Sequence, residues 1–101
     1  SPKMNFMERE EAAKHDAATI GVRPEHLDVS TSEGRWKAKV GVAEHLGSDT
    51  FLYVHPEGGS DDDIMTVRVD GEMALRHGDE VWLTPQEGKI HRFDGAGLRI
   101  G

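Results

Sequence analysis

The sequence predicts a small all-β domain, a barrel or a sandwich built of short antiparallel strands. A length of 101 residues supports one domain with a single core. Apolar and polar residues alternate with a period of two through the middle of the chain, and glycine-rich turns separate the short segments. Short strands at close spacing with such turns are typical of small β barrels and sandwiches. The chain is 36% hydrophobic and 31% charged, which is typical of a folded domain rather than a disordered tail.

The first residues fit two different structures. Asn5 and Glu8 have the spacing of a capping box, which predicts a short helix, but residues 4–7 also suit a short strand. Three basic and three acidic side chains leave residues 1–15 without net charge, so the whole formal charge of −7 lies in the remainder. We therefore expect one domain over residues 1–101, with a linker or first strand at 1–15 and the barrel at 16–101.

The clearest strand lies between residues 35 and 42. Four apolar residues alternate there with four others, and the two sets are Trp36, Ala38, Val40, Val42 and Arg35, Lys37, Lys39, Gly41. This pattern predicts an apolar inner face and a basic outer face. The turn at Gly47-Ser48-Asp49 leads into a second strand at 50–55, and the two strands form a predicted hairpin.

Five further strands complete the predicted domain, at residues 17–22, 64–69, 81–83, 89–93 and 98–100. Turns rich in glycine and aspartate separate the last four of these strands. Alternation within the strands assigns eight residues to one core, namely Trp36, Val40, Val42, Leu52, Val54, Val67, Val81 and Leu83.

Most classes of site are disfavoured by the composition. The chain has no cysteine, so disulfides, zinc–thiolate sites and cysteine nucleophiles are excluded. An excess of 19 acidic over 12 basic residues opposes binding to nucleic acid, which requires a basic surface. No apolar run is long enough to form a membrane helix. The start at Ser1, without an initiator methionine, predicts a fragment of a longer protein.

Motifs for catalysis and for cofactors are also missing. The phosphate-binding loop is absent, because the Gly88-Lys89 pair is followed by Ile90. The six histidines are scattered rather than paired at the spacing of metal ligands. The loop at 56–63 ends in three aspartates but lacks the alternating ligands and closing Glu of a calcium loop, so a solvated acidic loop is favoured. We expect no catalytic, metal or cofactor site in this chain.

One stretch points to a family. Residues 20–27 read Ile-Gly-Val-Arg-Pro-Glu-His-Leu. By themselves they predict a strand that ends at Pro24, where the chain turns a corner. A single turn follows, and Leu27 then returns to the core. The stretch also closely resembles the signature of the C-terminal regulatory domain of ABC importer ATPases of the maltose, glycerol-3-phosphate and oligosaccharide type.

Other stretches match that family in order. Residues 1–6, Ser-Pro-Lys-Met-Asn-Phe, look like the segment that follows its nucleotide-binding domain. Residues 42–50, Val-Ala-Glu-His-Leu-Gly-Ser-Asp-Thr, look like a hairpin of the family. Residues 78–81, Gly-Asp-Glu-Val, and residues 91–94, His-Arg-Phe-Asp, look like its closing elements. The resemblance spans essentially the whole chain.

The resemblance implies an OB-like barrel of the type called TOBE or MOP-like. Such a barrel is a non-catalytic dimerisation and regulatory domain, while ATP and magnesium bind in a nucleotide-binding domain that this chain lacks. The implied partners are a second copy, the membrane-spanning permease subunits reached through the parent subunit, and a cytosolic regulatory protein. The implied location is cytoplasmic, at the inner face of the plasma membrane. The alternative is an oxyanion-sensing barrel of a molybdate or sulfate importer.

The same motifs supply the candidate site residues. Gly21, Arg23, Pro24, Glu25 and His26 are assigned to the structural corner. We expect Arg23 and Glu25 to tie the strand end to a neighbouring turn through charge-assisted hydrogen bonds. The candidate regulatory or dimer contacts are Glu44, Leu46, Gly47, Asp49, His91 and Phe93.

One departure from the family concerns the N-terminal region. Met4 and Gly21 are only 17 positions apart, whereas the family has a longer segment with an extra strand pair there. We expect this shortening to leave an unpaired edge near residues 4–7, which a second copy covers.

Overall fold

A computed structural model of the chain describes residues 3–71 and 73–101, and within these residues it contains nine strands, one short helix and one 3-10 turn. The strands are β1 (Asn5–Glu8), β2 (Thr19–Val22), β3 (Leu27–Ser30), β4 (Trp36–Leu46), β5 (Asp49–Pro56), β6 (Met65–Asp70), β7 (Glu80–Pro85), β8 (His91–Phe93) and β9 (Arg99–Ile100). The helix α1 spans Glu10–Ala13, and the 3-10 turn spans Pro24–His26. The all-β prediction is confirmed.

The strands form two antiparallel sheets. The larger sheet has the order β3-β7-β4-β5-β6, and the smaller sheet has the order β1-β2-β8-β9. One core lies between them, because strands of both sheets turn their apolar positions inward. Its buried hydrophobic side chains are Ala12, Ile20, Val22, Leu27, Trp36, Ala38, Val40, Leu52, Val54, Met65, Val67, Val69, Val81 and Leu83. Every predicted core residue except Val42 is among them.

The prediction for Val42 is wrong because strand β4 contains a β-bulge. Val40 pairs with Val54 and Val42 pairs with the adjacent Tyr53, so Gly41 is an extra residue in the ladder. An extra residue reverses the inward and outward positions that follow it. Val40 is therefore buried, whereas Val42 is 59% exposed. The side chain of His77 covers the bulge, with Nδ1 2.7 Å from the carbonyl oxygen of Gly41.

The N-terminal segment contains both of the alternatives that the sequence left open. Residues 4–7 contribute to strand β1, and the helix α1 follows it. The capping box is wrong, because Asn5 lies on the strand and the residue before the helix is Arg9, at φ 59°. Residues 1 and 2 of the first family motif lie outside the described residues.

Asn5 connects the two sheets at their edges. Its side-chain nitrogen donates to the carbonyl oxygen of Thr66, and its side-chain oxygen accepts from the Thr66 N–H, both at 2.8 Å. The buried amide thus forms the two hydrogen bonds that a neighbouring strand would form. β1 is an edge strand of its sheet, as predicted, and this contact joins it to β6, the edge strand of the other sheet.

Strand β3 is the element that sequence reasoning missed. Leu27 returns to the core as predicted, but residues 27–30 then pair with β7. A four-residue strand is too short to show a clear alternation in the sequence. Its position becomes evident only from its partner strand.

Candidate docking surfaces

The corner at residues 23–26 is held by its backbone and by Pro24. The N–H of His26 donates to the carbonyl of Arg23, and the N–H of Gln86 donates to the carbonyl of His26, both at 2.9 Å. Pro24 is buried and occupies the first position of the 3-10 turn, where its missing N–H costs nothing. The predicted chain path, with one turn after the strand and Leu27 back in the core, is present.

The predicted tie from Arg23 and Glu25 is wrong. Both side chains are exposed, and neither forms a hydrogen bond or an ion pair within residues 3–71 and 73–101. The backbone already satisfies the corner, so these two side chains are free to project into solvent. They are available for contacts outside the domain.

Two motifs far apart in the sequence meet on the outer side of the smaller sheet. Gly21 of β2 is the register partner of His91 in β8, and Thr19 is the partner of Phe93. Ile20, between them, is fully buried, so its neighbours along β2 face outward. We call this surface the β2–β8 face and define it as Phe6, Gly21, Arg23, His91, Phe93 and Arg99.

Gly21 leaves room for the side chains that pack on this face. A Cβ at this position would collide with the sulfur of Met4 and would lie 3.2 Å from a ring carbon of Phe6. The hydrogen side chain of Gly21 therefore allows two large side chains to lie flat across β2. Phe6 then contacts Phe93 edge to face, with ring centroids 5.9 Å apart, while remaining 59% exposed.

The β2–β8 face gathers several cations, and one carboxylate, that of Glu8, lies in the same row as Thr19 and Phe93. Partial burial lowers the pKa of the His91 imidazole, and the charges of Arg99, Arg23, His26 and Lys89 lower it further. Arg23, Lys89 and Arg99 are exposed, and none has a carboxylate within ion-pair distance in the described part of the chain. A chain with a net charge of −7 thus gathers unpaired cations on one surface.

A second surface lies on the outer side of the hairpin β4–β5. After the bulge, Val42, Glu44 and Leu46 all face outward, opposite Tyr53, Phe51 and Asp49 of β5. Val42 is 59% and Leu46 is 54% exposed. We call this surface the hairpin face and define it as Val42, Glu44, Leu46, Phe51 and Tyr53, with Asp49 and Arg68 at its rim.

Polar contacts fix the hairpin face. The hydroxyl of Tyr53 lies 3.4 Å from a carboxylate oxygen of Glu44. A nitrogen of Arg68 lies 3.1 Å from both carboxylate oxygens of Asp49. Gly47 forms the two-residue turn with Ser48 and has φ 66°, a conformation that L side chains rarely adopt. The result is an ordered, largely apolar surface with one ion pair.

The structure divides the predicted contact residues between these two surfaces. Glu44, Leu46 and Asp49 belong to the hairpin face, and Gly47 forms its turn, whereas His91 and Phe93 belong to the β2–β8 face. Sequence reasoning did not single out Arg99 or Lys89, since no motif contains them. Arg99 reaches this surface only because β9 pairs with β8 and β8 pairs with β2, and Lys89 lies just before β8.

Arg92 and Asp63 have local structural roles. The Arg92 guanidinium donates to the carbonyl oxygens of His15 at 2.6 Å and Asp16 at 3.2 Å, which joins the end of α1 to β8. In the acidic loop, the Asp63 carboxylate accepts the Ser60 N–H at 2.9 Å. Within residues 3–71 and 73–101, no three His, Asp or Glu side chains group as metal ligands do. Whether the whole chain lacks a metal site stays a prediction.

None of the helices in the described residues is both long enough and apolar enough to cross a bilayer.

Known proteins resemble this chain over most of its length. The family model of the TOBE domain matches residues 20–93. The sn-glycerol-3-phosphate import ATP-binding protein of Chromohalobacter salexigens is 38% identical over 89 residues, which cover 84% of this chain and 24% of that protein. The lactose transport ATP-binding protein of Rhizobium radiobacter is 35% identical over 86 residues, covering 84% of this chain and 23% of that protein.

A third relative has no assigned solute. An uncharacterized ABC transporter ATP-binding protein of Sinorhizobium fredii is 42% identical over 83 residues, covering 81% of this chain and 21% of that protein. The chain thus spans about a quarter, or less, of the relatives it matches. The match covers the corner, the hairpin and the closing strand, and the two sheets have the predicted all-β architecture. The chain belongs to the TOBE domain family, in the form found in ATP-binding subunits of ABC importers for sugars and glycerol 3-phosphate.

Proposed function

We propose that this chain is the non-catalytic domain through which the ATP-binding subunit of a sugar or glycerol-phosphate importer pairs with a second copy and receives regulation. Sequence similarity to such subunits supports the transport role. One structural observation supports the pairing, namely that three alternate residues of the hairpin motif face solvent together.

The hairpin face has the composition of a contact surface. Val42 and Leu46 expose apolar side chains although they belong to a family motif, and the aromatic rings of Phe51 and Tyr53 lie between them and β6. Exposed apolar side chains that cluster with aromatic rings are typical of protein interfaces. None of these side chains is needed in the core, because the inward positions of the same strands fill it.

The charges of the hairpin face suit a symmetric pair. In an isologous contact, each residue meets a surface equal to its own, so a surface with a single sign of charge repels itself. The rim of the hairpin face contains both signs, with Asp49 already paired to Arg68. The net charge of −7 still opposes association of two chains, and salt screens that repulsion. Association should therefore strengthen as the salt concentration rises.

The other functions of the transporter belong to the rest of the parent subunit and to its partners. ATP and magnesium bind in its nucleotide-binding domain, and this domain itself holds no cofactor. The parent subunit associates with membrane-spanning permease subunits, which places the domain at the cytoplasmic face of the membrane. Relatives whose names include ATP binding and import support these assignments.

Sedimentation equilibrium at low and high salt tests the pairing. We expect the wild-type chain to form a weak dimer, with a Kd in the micromolar range or weaker, about −8 kcal/mol or less favourable. Leu46→Glu should weaken the dimer by at least about tenfold, because it places a charge in the apolar contact. Leu98→Glu is the matched control, since Leu98 is an exposed leucine in the turn between β8 and β9.

Three results would contradict the proposal. A strict monomer at high protein concentration in both salt conditions would exclude pairing by this domain. Equal weakening by Leu46→Glu and Leu98→Glu would show that the contact is not on the hairpin face. ATPase activity above background in the purified chain would refute its non-catalytic role.

A further inference from the structure

The β2–β8 face is unsuited to contact its own copy. Arg23, His91 and Arg99 lie on it, and Lys89 and His26 lie close enough to act on His91. Two such faces placed together by a two-fold axis would bring these cations against each other, which is unfavourable. The proposed pairing through the hairpin face therefore leaves this surface open.

The cations of the face have no internal role. Three of the four ion pairs in the described part of the chain involve Lys14 or Lys37, and the fourth joins Arg68 to Asp49. Arg92, next to His91, is used in two hydrogen bonds to backbone carbonyls. By contrast, Arg23 and Arg99 contact no carboxylate in residues 3–71 and 73–101, and the backbone holds their segments without them.

Apolar groups lie directly beside these cations. Phe6 and Phe93 contact each other edge to face, and Phe6 is 59% exposed. The register places Phe6, Gly21 and His91 in one row across the sheet, and Glu8, Thr19, Phe93 and Arg99 in the next row. Each row thus presents an aromatic ring together with a cation or a titratable imidazole. Such mixed surfaces bind peptides by combining apolar anchors with charge pairs.

We propose that the β2–β8 face docks an acidic segment of a protein partner, with Phe or Leu side chains of that segment against Phe6 and Phe93 and its carboxylates on Arg23 and Arg99. The proposal rests on the proposed role of the domain as a docking module, but it uses a different surface from the hairpin. Two carboxylates near this face, Glu8 and Glu25, form no ion pair with its cations.

A peptide titration of the ¹⁵N-labelled chain tests the proposal. The probe is a short synthetic peptide in which Glu and Asp alternate with Phe and Leu, and the matched peptide has Lys in place of the acidic residues. We expect saturable chemical-shift changes at Gly21, His91 and Phe93 with the acidic peptide alone. Binding should weaken as NaCl is added, which is opposite to the salt dependence expected of the dimer.

Charge-reversal variants identify the groups that bind. The double variant Arg23→Glu and Arg99→Glu should weaken peptide binding by at least about tenfold. Lys39→Glu is the control, because Lys39 is an exposed cation of β4 without an ion pair in the described residues. It should change the affinity by less than about twofold. All three substitutions are at exposed positions, and the amide spectrum of each variant reports directly whether it is folded.

The apolar part of the proposal has its own variant. Phe6→Ala should weaken peptide binding while leaving the salt dependence unchanged, because it removes an apolar anchor and no charge. Ile64→Ala, another exposed apolar residue, should have no effect. A bound acidic segment should also raise the pKa of His91, which a titration of its ring protons measures.

Several outcomes would overturn the proposal. These are the absence of shifts at the highest soluble peptide concentration, shifts confined to the hairpin, and unchanged binding by the double variant. The proposal also fails if inorganic phosphate, molybdate or a DNA oligonucleotide produces the same shifts at lower concentration than the peptide. Failure of the dimer is a separate result, since at high salt, where the more negative net charge of the double variant is screened, its sedimentation should match that of the wild-type chain.

Discussion

The two outer surfaces of this domain differ in how they use their charges. The hairpin face is mainly apolar, and its rim contains a paired Asp49 and Arg68. The β2–β8 face combines two aromatic rings with cations that have no partner among the described residues. The first surface suits a copy of itself, whereas the second repels its copy and suits an acidic partner. The two proposed contacts, on separate surfaces of one small domain, therefore do not compete.

The same strands supply both the fold and the surfaces. In β2, Ile20 and Val22 are buried while Gly21 between them faces outward. In β4, the bulge at Gly41 leaves Val40 buried and Val42 exposed, so that Val42, Glu44 and Leu46 become the outward positions. Because successive side chains of a strand point to opposite faces, an outward residue can be substituted without disturbing the packing of the core. We therefore expect substitutions in the core and on the surface to differ in their effect on the free energy of unfolding.

The largest expected effect separates the core from the hairpin face. Val40→Asp should unfold the domain, because an unpaired buried charge costs several kcal/mol, comparable to the total stability of a small domain. Val42→Asp, two positions along the same strand, should change the free energy of unfolding by less than about 0.5 kcal/mol. Urea denaturation of both variants measures the difference. Similar melting of Val40→Asp and the wild type would refute the assignment of the core.

A smaller effect is expected where the two sheets meet. Asn5→Ala removes both hydrogen bonds to Thr66 and leaves buried backbone groups unpaired, so we expect a loss of about 1–3 kcal/mol in stability. Glu8→Ala on the exposed side of the same strand is the control. Hydrogen exchange should show faster exchange of the Thr66 amide in Asn5→Ala. If both variants are equally stable, Asn5 does not join the sheets.

The smallest expected effect concerns charge on the β2–β8 face alone. Because the folded-state pKa of His91 lies below its unfolded value, the unfolded chain binds more protons when the pH falls below about 6.5. His91 should therefore lower stability at acidic pH, and this loss should disappear as the pH rises above that value. His91→Gln should flatten the dependence of Tm on pH between about 5 and 7.

A second histidine controls for the loss of a titratable group. His15→Gln removes a half-buried histidine outside the β2–β8 face. If His91→Gln and His15→Gln change the pH dependence of Tm equally, the crowding of cations around His91 has no effect on stability. A steeper dependence in His91→Gln would contradict the sign expected from its lowered pKa.

Most of the fold could be predicted from local patterns. The alternation of apolar and polar residues predicted β4, β5, β6 and β7. Gly78 predicted the turn before β7, and in the structure it has φ 89°. The corner was predicted because Pro24 can occupy only a few backbone conformations. The missed features, β3 and the roles of Asn5 and Arg92, all depend on partners distant in the sequence, such as Thr66 and residues 15–16. Such pairings leave no local periodicity.

The candidate surfaces were predicted in part. Family motifs contained His91, Phe93, Glu44 and Leu46, but they did not indicate that these residues belong to two surfaces. The assignment of Arg23 to an internal hydrogen bond was wrong because backbone bonds already close the corner. A charged residue in a motif can serve either the fold or a partner, and its residue type does not distinguish the two.

By itself, the sequence determined an all-β domain with its core mostly inside four strands, since alternation and turn chemistry act over neighbouring residues. The resemblance to the TOBE family came separately, from its motifs. Only the tertiary structure decided which residues share a surface. The bulge at Gly41 turned Val42 outward, and the pairing of Gly21 with His91 brought two distant motifs together. Strand register between distant segments depends on the packing of the whole core, and therefore it cannot be derived from either segment alone.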